Sequence, residues 1–241
     1  MSRFLTDQGE VVEAATVVAG FNFANRVADG LGVPCEIPDM IDGHRIVGRL
    51  ARWAVSTAMR VRMNFAPLDL RSDEPAEVLA TLSHQLRESG AGPLPSYFAR
   101  LAVRPHILAG QAALTRALLT ASSVPRRLRL AIQLLTGTIN GDGEATATAG
   151  DALGGAPELR RCVAAILRGD AIAPDAMRWE ALREARHLEF ARDLTRSAST
   201  TTDAQVLRLK QLGTTDVEIL DLVLLTAAQN AANRLNVALA R

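Results

Sequence analysis

Apolar positions recur at helical spacing almost from end to end of this chain, and two stretches are apolar around their whole circumference. Residues 10–32 read EVVEAATVVAGFNFANRVADGLG and residues 218–240 read EILDLVLLTAAQNAANRLNVALA. A fixed offset of 208 residues aligns Glu10 with Glu218, Ala19 with Ala227, Asn22 with Asn230 and Ala24 with Ala232. The same offset aligns Asn25 with Asn233, Arg26 with Arg234 and Leu31 with Leu239. A helix with no polar face is normally buried. In each copy the cluster N-x-x-N-R (Asn22, Asn25, Arg26; Asn230, Asn233, Arg234) falls at i, i+3 and i+4, on one side of the helix. Buried amides and guanidinium groups must find partners, since each left unsatisfied costs roughly 1–3 kcal/mol. The cluster therefore reads as an internal brace, with each arginine meeting a carboxylate or carbonyls, rather than as a pocket wall. The two helices are expected to pack as a related pair with Asn25 and Asn233 out of solvent. Asp7 with Glu10, and Thr215 with Glu218, have the spacing of an N-cap signature.

Between these copies the pattern stays helical. GVPCEIPDMIDGH (32–44) reads as a loop on its prolines and glycine. Residues 45–63 read as an amphipathic helix with arginines at 45, 49, 52, 60 and 62, and residues 66–76 as a linker. Further helices are predicted over 76–88, 97–103, 105–120, from Pro125 to the NGDG at 140–143, 144–153, 158–168 and 174–197. A last short one is expected between the capping pair Thr202/Gln205 and Gly213. No stretch reads as a strand, so short loops joining roughly ten helices predict an all-α bundle.

Composition narrows this. Apolar residues make up 48% but aromatics only 4%, so the core must be built from Ala, Leu, Val and Ile, which suits closely packed helices. A net charge of +1 gives no electrostatic case for nucleic acid, and no apolar run reaches membrane-spanning length. Asp7, Glu10 and Glu13 interrupt any leader-like segment, so the expectation is a soluble, cytoplasmic protein. Cys35 and Cys162 are too far apart for C-x-x-C. His44, His84, His106 and His187 lack ligand-like spacing, so no metal and no cofactor is implied.

The ordered set RPHILAGQAALTRALL (104–119), PRRLRLAIQLLTGTING (125–141), LEFARDLT (188–195), TDAQVLRLKQLGTTDVEILDLVLL (202–225) and the closing N-x-x-N-R helix resembles the alkylhydroperoxidase D-like, carboxymuconolactone decarboxylase superfamily. FNFANRVADGLGVPCEIP (21–38) resembles the end of such a domain. The resemblance implies two parts: residues 1–72, a helical segment carrying an orphan copy of the final helix, and residues 73–241, the domain itself. It also implies a homo-oligomer.

In the peroxidase branch, a glutamate precedes a C-x-x-C and a nearby histidine. One thiolate attacks and the other resolves, while the glutamate and histidine move protons. Aligned on NGDGEATATAG, the first cysteine falls at Asp142 and the second at Ala145. The histidine positions fall at Thr148 and Ala149, and the glutamate at Leu130. No element of that set is present, so dithiol hydroperoxide reductase activity is not expected. The candidates at the motif positions are Asp142, Glu144 and Thr148. Asp142 and Glu144 could form a carboxyl pair for acid–base work, or Asp142 could cap a helix whose dipole Glu144 complements. Three readings follow: a small-molecule- or partner-binding protein with a degenerate active site, a thiol-independent lyase or isomerase, or an antioxidant enzyme using Cys162 or Cys35 alone.

Overall fold

The computed structural model describes residues 7–31, 74–120, 122–170 and 178–240. Cys35, His44 and the expected helix 45–63 lie outside the described residues. Among those described there are ten α-helices and no strand: α1 Gln8–Gly30, α2 Pro75–Glu88, α3 Tyr97–Leu101, α4 Pro105–Thr120 and α5 Arg126–Asn140. These are followed by α6 Gly143–Ala152, α7 Pro157–Arg168, α8 Trp179–Arg196, α9 Asp203–Gln211 and α10 Asp216–Leu239. The all-α bundle expected from the apolar spacing is what forms.

Local signals account for most ends. Asp7 caps α1 by accepting from the Gly9 N–H. Thr215 and Glu218 form a reciprocal capping box on α10, and the Gln205 side chain accepts from the Thr202 N–H ahead of α9. Between α5 and α6, Gly141 takes φ +71°, the left-handed conformation that ends a helix without a Cβ penalty. The chain can then reverse, and Asp142 caps the next helix at once.

Two apolar clusters fill the bundle, and α10 belongs to both. Its N-terminal half (Ile219, Leu222, Val223, Leu225) joins Leu128, Ile132 and Leu135 of α5, Ile166 of α7 and Leu188 and Leu194 of α8. Its C-terminal half (Ala231, Leu235, Leu239) joins Val12 and Ala19 of α1, Leu82 of α2, Phe98 and Leu101 of α3 and Leu108 of α4. A helix with neighbours on every side needs no polar face, which explains its composition.

The repeated helices do pack along each other, and antiparallel. Gly30 near the end of α1 lies so close to α10 that a Cβ there would meet Val223 Cγ1 at 2.9 Å, while Val12 near the start groups with Leu235 and Leu239. The brace expectation holds for only part of the polar cluster. Arg26 is buried and its Nη2 donates to the Thr195 carbonyl at 2.9 Å. Asn230, fully buried, donates to Thr195 Oγ1 (3.0 Å) and the Thr226 carbonyl (2.8 Å) and accepts from Asn140 Nδ2 (3.0 Å). Asn25 and Arg234, by contrast, are exposed, and Asn22 is half-buried with an unpartnered Oδ1. The reason is geometric. Among the described residues α1 is covered on one side only, so Val17, Val18 and Phe21 also face out, at 58%, 60% and 68% exposure. Identical sequence has been placed in two unequal environments.

Candidate functional site

One face from each of several helices encloses a crevice of about 120 Å³. From α5 come Arg126, Arg129, Leu130 and Gln133, at i, i+3, i+4 and i+7. From α10 come Leu225, Ala228, Gln229, Ala232, Asn233 and Asn236, and from α4 Gln111, Leu114, Thr115, Leu118 and Leu119. The start of α6 supplies Asp142, Glu144, Ala145 and Thr148, and Tyr97 and Phe98 of α3 close one side. The loop before α3 approaches through Gly92, whose φ of +108° brings it so near α6 that a Cβ would meet Thr148 Cγ2 at 2.6 Å. The three candidate positions Asp142, Glu144 and Thr148 are thus brought together, with Leu130 and Ala145 on the same lining.

The two ends of the crevice differ in charge. At the α6 end, Asp142 is 3% exposed and its Oδ1 accepts from the Ala145 N–H (3.0 Å) and from Asn236 Nδ2 (2.8 Å). Glu144 accepts from the Ser96 N–H (2.8 Å), the Ser96 hydroxyl and Asn236 Nδ2 (3.1 Å). Burial pushes the Glu144 carboxyl up, but the hydrogen bonds from Ser96 and Asn236 outweigh it and hold the group below the ordinary carboxylate range. Tyr97, stacked on Phe98 with ring centroids 4.4 Å apart, is raised well above a normal phenol. Burial is the main cause, opposed by a Gln111 hydrogen bond and assisted by Asp142 and Glu144. Asn233, 1% exposed, has an Nδ2 with no hydrogen-bond partner among the described residues.

At the opposite end, Arg126 donates through Nε and Nη2 to the Gly90 carbonyl, just past α2. Arg129 Nη1 donates to the carbonyls of Leu118 (3.2 Å) and Leu119 (3.0 Å), in the last turn of α4. Neither forms an ion pair among the described residues. Burial, then the neighbouring Arg126, lower the Arg129 pKa.

The pocket-wall reading of the N-x-x-N-R helix, which the sequence disfavoured, is therefore the right one for Asn233, while Asn230 is the brace. The residues missed from sequence were Ser96, Tyr97, Gln111, Arg126, Arg129 and Asn236. Asn236 had a signal: it extends the Asn230–Asn233 row by three residues, where the first copy has Ala28. The described histidines stand apart from the crevice. His84 is paired with Glu88 (3.3 Å) and exposed, and His106 is exposed. His187 is buried against Thr214 Oγ1 (2.9 Å). Cys162 packs half-buried on the other apolar cluster, and burial, with Glu189 and Glu184, pushes its thiol up to about 11.

No protein-family model matches the chain, and no curated protein does. In three dimensions it is similar to the crystal structure of an uncharacterized peroxidase-related protein from Silicibacter sp. TM1040. The TM-score is 0.55 at 22% sequence identity, covering 72% of this chain and 88% of that one. At that identity the likeness establishes a shared fold. No helix among the described residues is long and apolar enough to cross a membrane.

Proposed function

We propose that the chain is a member of the alkylhydroperoxidase D-like, carboxymuconolactone decarboxylase superfamily that has lost dithiol hydroperoxide reduction and uses the crevice to hold a small molecule. The observation that carries this reading is the buried Asn233 Nδ2, an amide donor without a protein partner on an otherwise mostly apolar wall. Native proteins rarely leave such a group unsatisfied, and a bound molecule is one way to satisfy it. The fold shared with a peroxidase-related protein, and the meeting of Leu130, Asp142, Ala145 and Thr148 on one lining, support the family alignment.

The other two readings draw less support. Asp142 and Glu144 spend their oxygens on capping, Ser96 and Asn236, and a carboxylate held below its usual pKa is a weak base. Cys162 lies away from the crevice with a raised pKa, the opposite of a peroxidatic thiol. The division at residues 72/73, homo-oligomerisation and a cytoplasmic location remain part of the proposal. The exposed Val17, Val18 and Phe21 on α1 favour contact with a partner.

An NMR screen of small fragments against the wild type and Ala232→Phe, which fills the crevice, tests the reading. Hits that map to α4, α5 and α10 and vanish in the variant are expected. Turnover of organic hydroperoxide with a dithiol donor would refute the claimed loss of chemistry.

A further inference from the structure

The polarity of the crevice restricts what it can hold; this deepens the binding reading and rests on it. Two hydrogen bonds set the register of its walls: the Ser123 N–H donates to Asp221, and Asn140 Nδ2 donates to Asn230. Helices α5 and α10 therefore run in the same direction. Arg126 and Arg129 sit toward the Leu225 end, and Asn233 and Asn236 toward α6. The arginines are held in place by main-chain carbonyls at the ends of α2 and α4, so they are pre-organised rather than floppy. Each helix C-terminus offsets about half a positive charge, so two guanidinium groups leave roughly one unit of positive charge uncompensated. That matches a single carboxylate. At the other end the carboxylates are already saturated by donors, and the one group without a partner is a donor, Asn233 Nδ2. It calls for an acceptor oxygen, not a cation.

Spacing bounds the length. From Leu225, near the level of Arg129, to Asn233 the helix rises about 12 Å. Subtracting two hydrogen bonds of about 2.9 Å leaves roughly 6 Å between the carboxylate and the acceptor oxygen. A cavity of about 120 Å³ is of the order that takes a six-carbon body. Leu114, Leu118, Leu130 and Leu225 supply its apolar walls. We propose that the crevice takes a small monocarboxylate of about six carbons with a carbonyl oxygen near its far end, Arg126 and Arg129 holding the carboxylate and Asn233 donating to the carbonyl.

The test is an amide-resonance NMR titration at low ionic strength with four probes: hexanoate, its keto analogue 5-oxohexanoate (about the same length, roughly 6 Å between oxygens), hexanol and hexylamine. Hexanoate should bind about tenfold more tightly than hexanol, and hexylamine least, because charge-assisted bonds exceed neutral ones. The keto acid should gain a further factor of about five, the worth of one buried hydrogen bond. Arg126→Gln, at an exposed position that folding does not depend on, and Arg129→Gln should each erode the advantage of the acids about fivefold while leaving hexanol unchanged. Asn233→Leu should abolish the keto gain and spare hexanoate. Equal binding of acid and alcohol, insensitive to Arg126→Gln, overturns the carboxylate assignment but leaves the crevice a binding site. No keto gain overturns the role of Asn233. No shift with any probe overturns the carboxylate assignment and the binding reading together.

Discussion

Asn22 and Asn230 occupy the same position of the repeated motif, yet replacing each with alanine should give sharply different results. Asn230→Ala removes two donated hydrogen bonds and one accepted bond from a fully buried site. At about 1 kcal/mol net per bond the loss is about 3 kcal/mol, reduced by about 0.6 kcal/mol of helix propensity gained by alanine. Thr195 Oγ1 still donates to the Ala191 carbonyl, and Asn140 is only half-buried, so neither is wholly stranded. A net cost of roughly 2–3 kcal/mol should lower Tm by about 5–10 °C for a chain of this size. Asn22→Ala removes an acceptor that has no partner among the described residues, on a half-buried helix face. It should change stability by less than about 0.5 kcal/mol, in either direction. Thermal melts of the wild type and both variants, side by side, measure the contrast. Equal losses in the two variants would refute the claim that the copies differ in environment.

Three further outcomes follow from particular side chains. Burial, with Arg183 assisting and Glu218 opposing, lowers the His187 pKa to about 4 from an ordinary 6.5. The folded state thus resists protonation that the unfolded chain accepts, and stability falls as pH drops from about 6.5 toward 4. His187→Gln should lose on the order of 3 kcal/mol less than the wild type between pH 7.5 and 4 in urea melts, and parallel curves would contradict this. Gly30→Ala puts a Cβ 2.9 Å from Val223 Cγ1 and 3.1 Å from Leu194 Cδ1, so it should destabilise by about 1–3 kcal/mol despite the gain in helix propensity, as urea unfolding would show. The Cys162 thiol, pushed up to about 11, should react with iodoacetamide at neutral pH more slowly than a free thiol and accelerate only at strongly alkaline pH. A Cys162→Ser control assigns the signal.

Much of the fold was legible because helix boundaries here are written in local chemistry. Prolines at 75, 105, 125 and 157 open or precede helices, Gly141 and Gly213 end or follow them, and Thr202 and Thr215 cap them. The Asp142 cap could also be read locally, since it depends on a residue only three positions away. What could not be read was environment. Asn25 and Asn233 are the same residue in the same motif, and nothing within the motif says that one faces solvent and the other a crevice. That depends on α4, α5 and α6 packing against α10 and leaving the corresponding face of α1 open. Ser96 and Asn236 reach Glu144 across 48 and 92 residues, and no local pattern encodes such a meeting. Arg126 and Arg129 looked like an ordinary solvated pair until the ends of α2 and α4 were seen to hold them.

The antiparallel contact between α1 and α10 has a consequence for assembly. Two like helices crossing head to tail is the arrangement a two-fold axis produces between separate subunits. Here the axis is internal, and the surface of α10 that could have met its own counterpart on a second molecule is occupied by a tethered substitute. Self-association through that surface is pre-empted, so any homo-oligomer must be built elsewhere on the molecule. Cutting α1 away would free a self-complementary patch and convert an intramolecular contact into a concentration-dependent one.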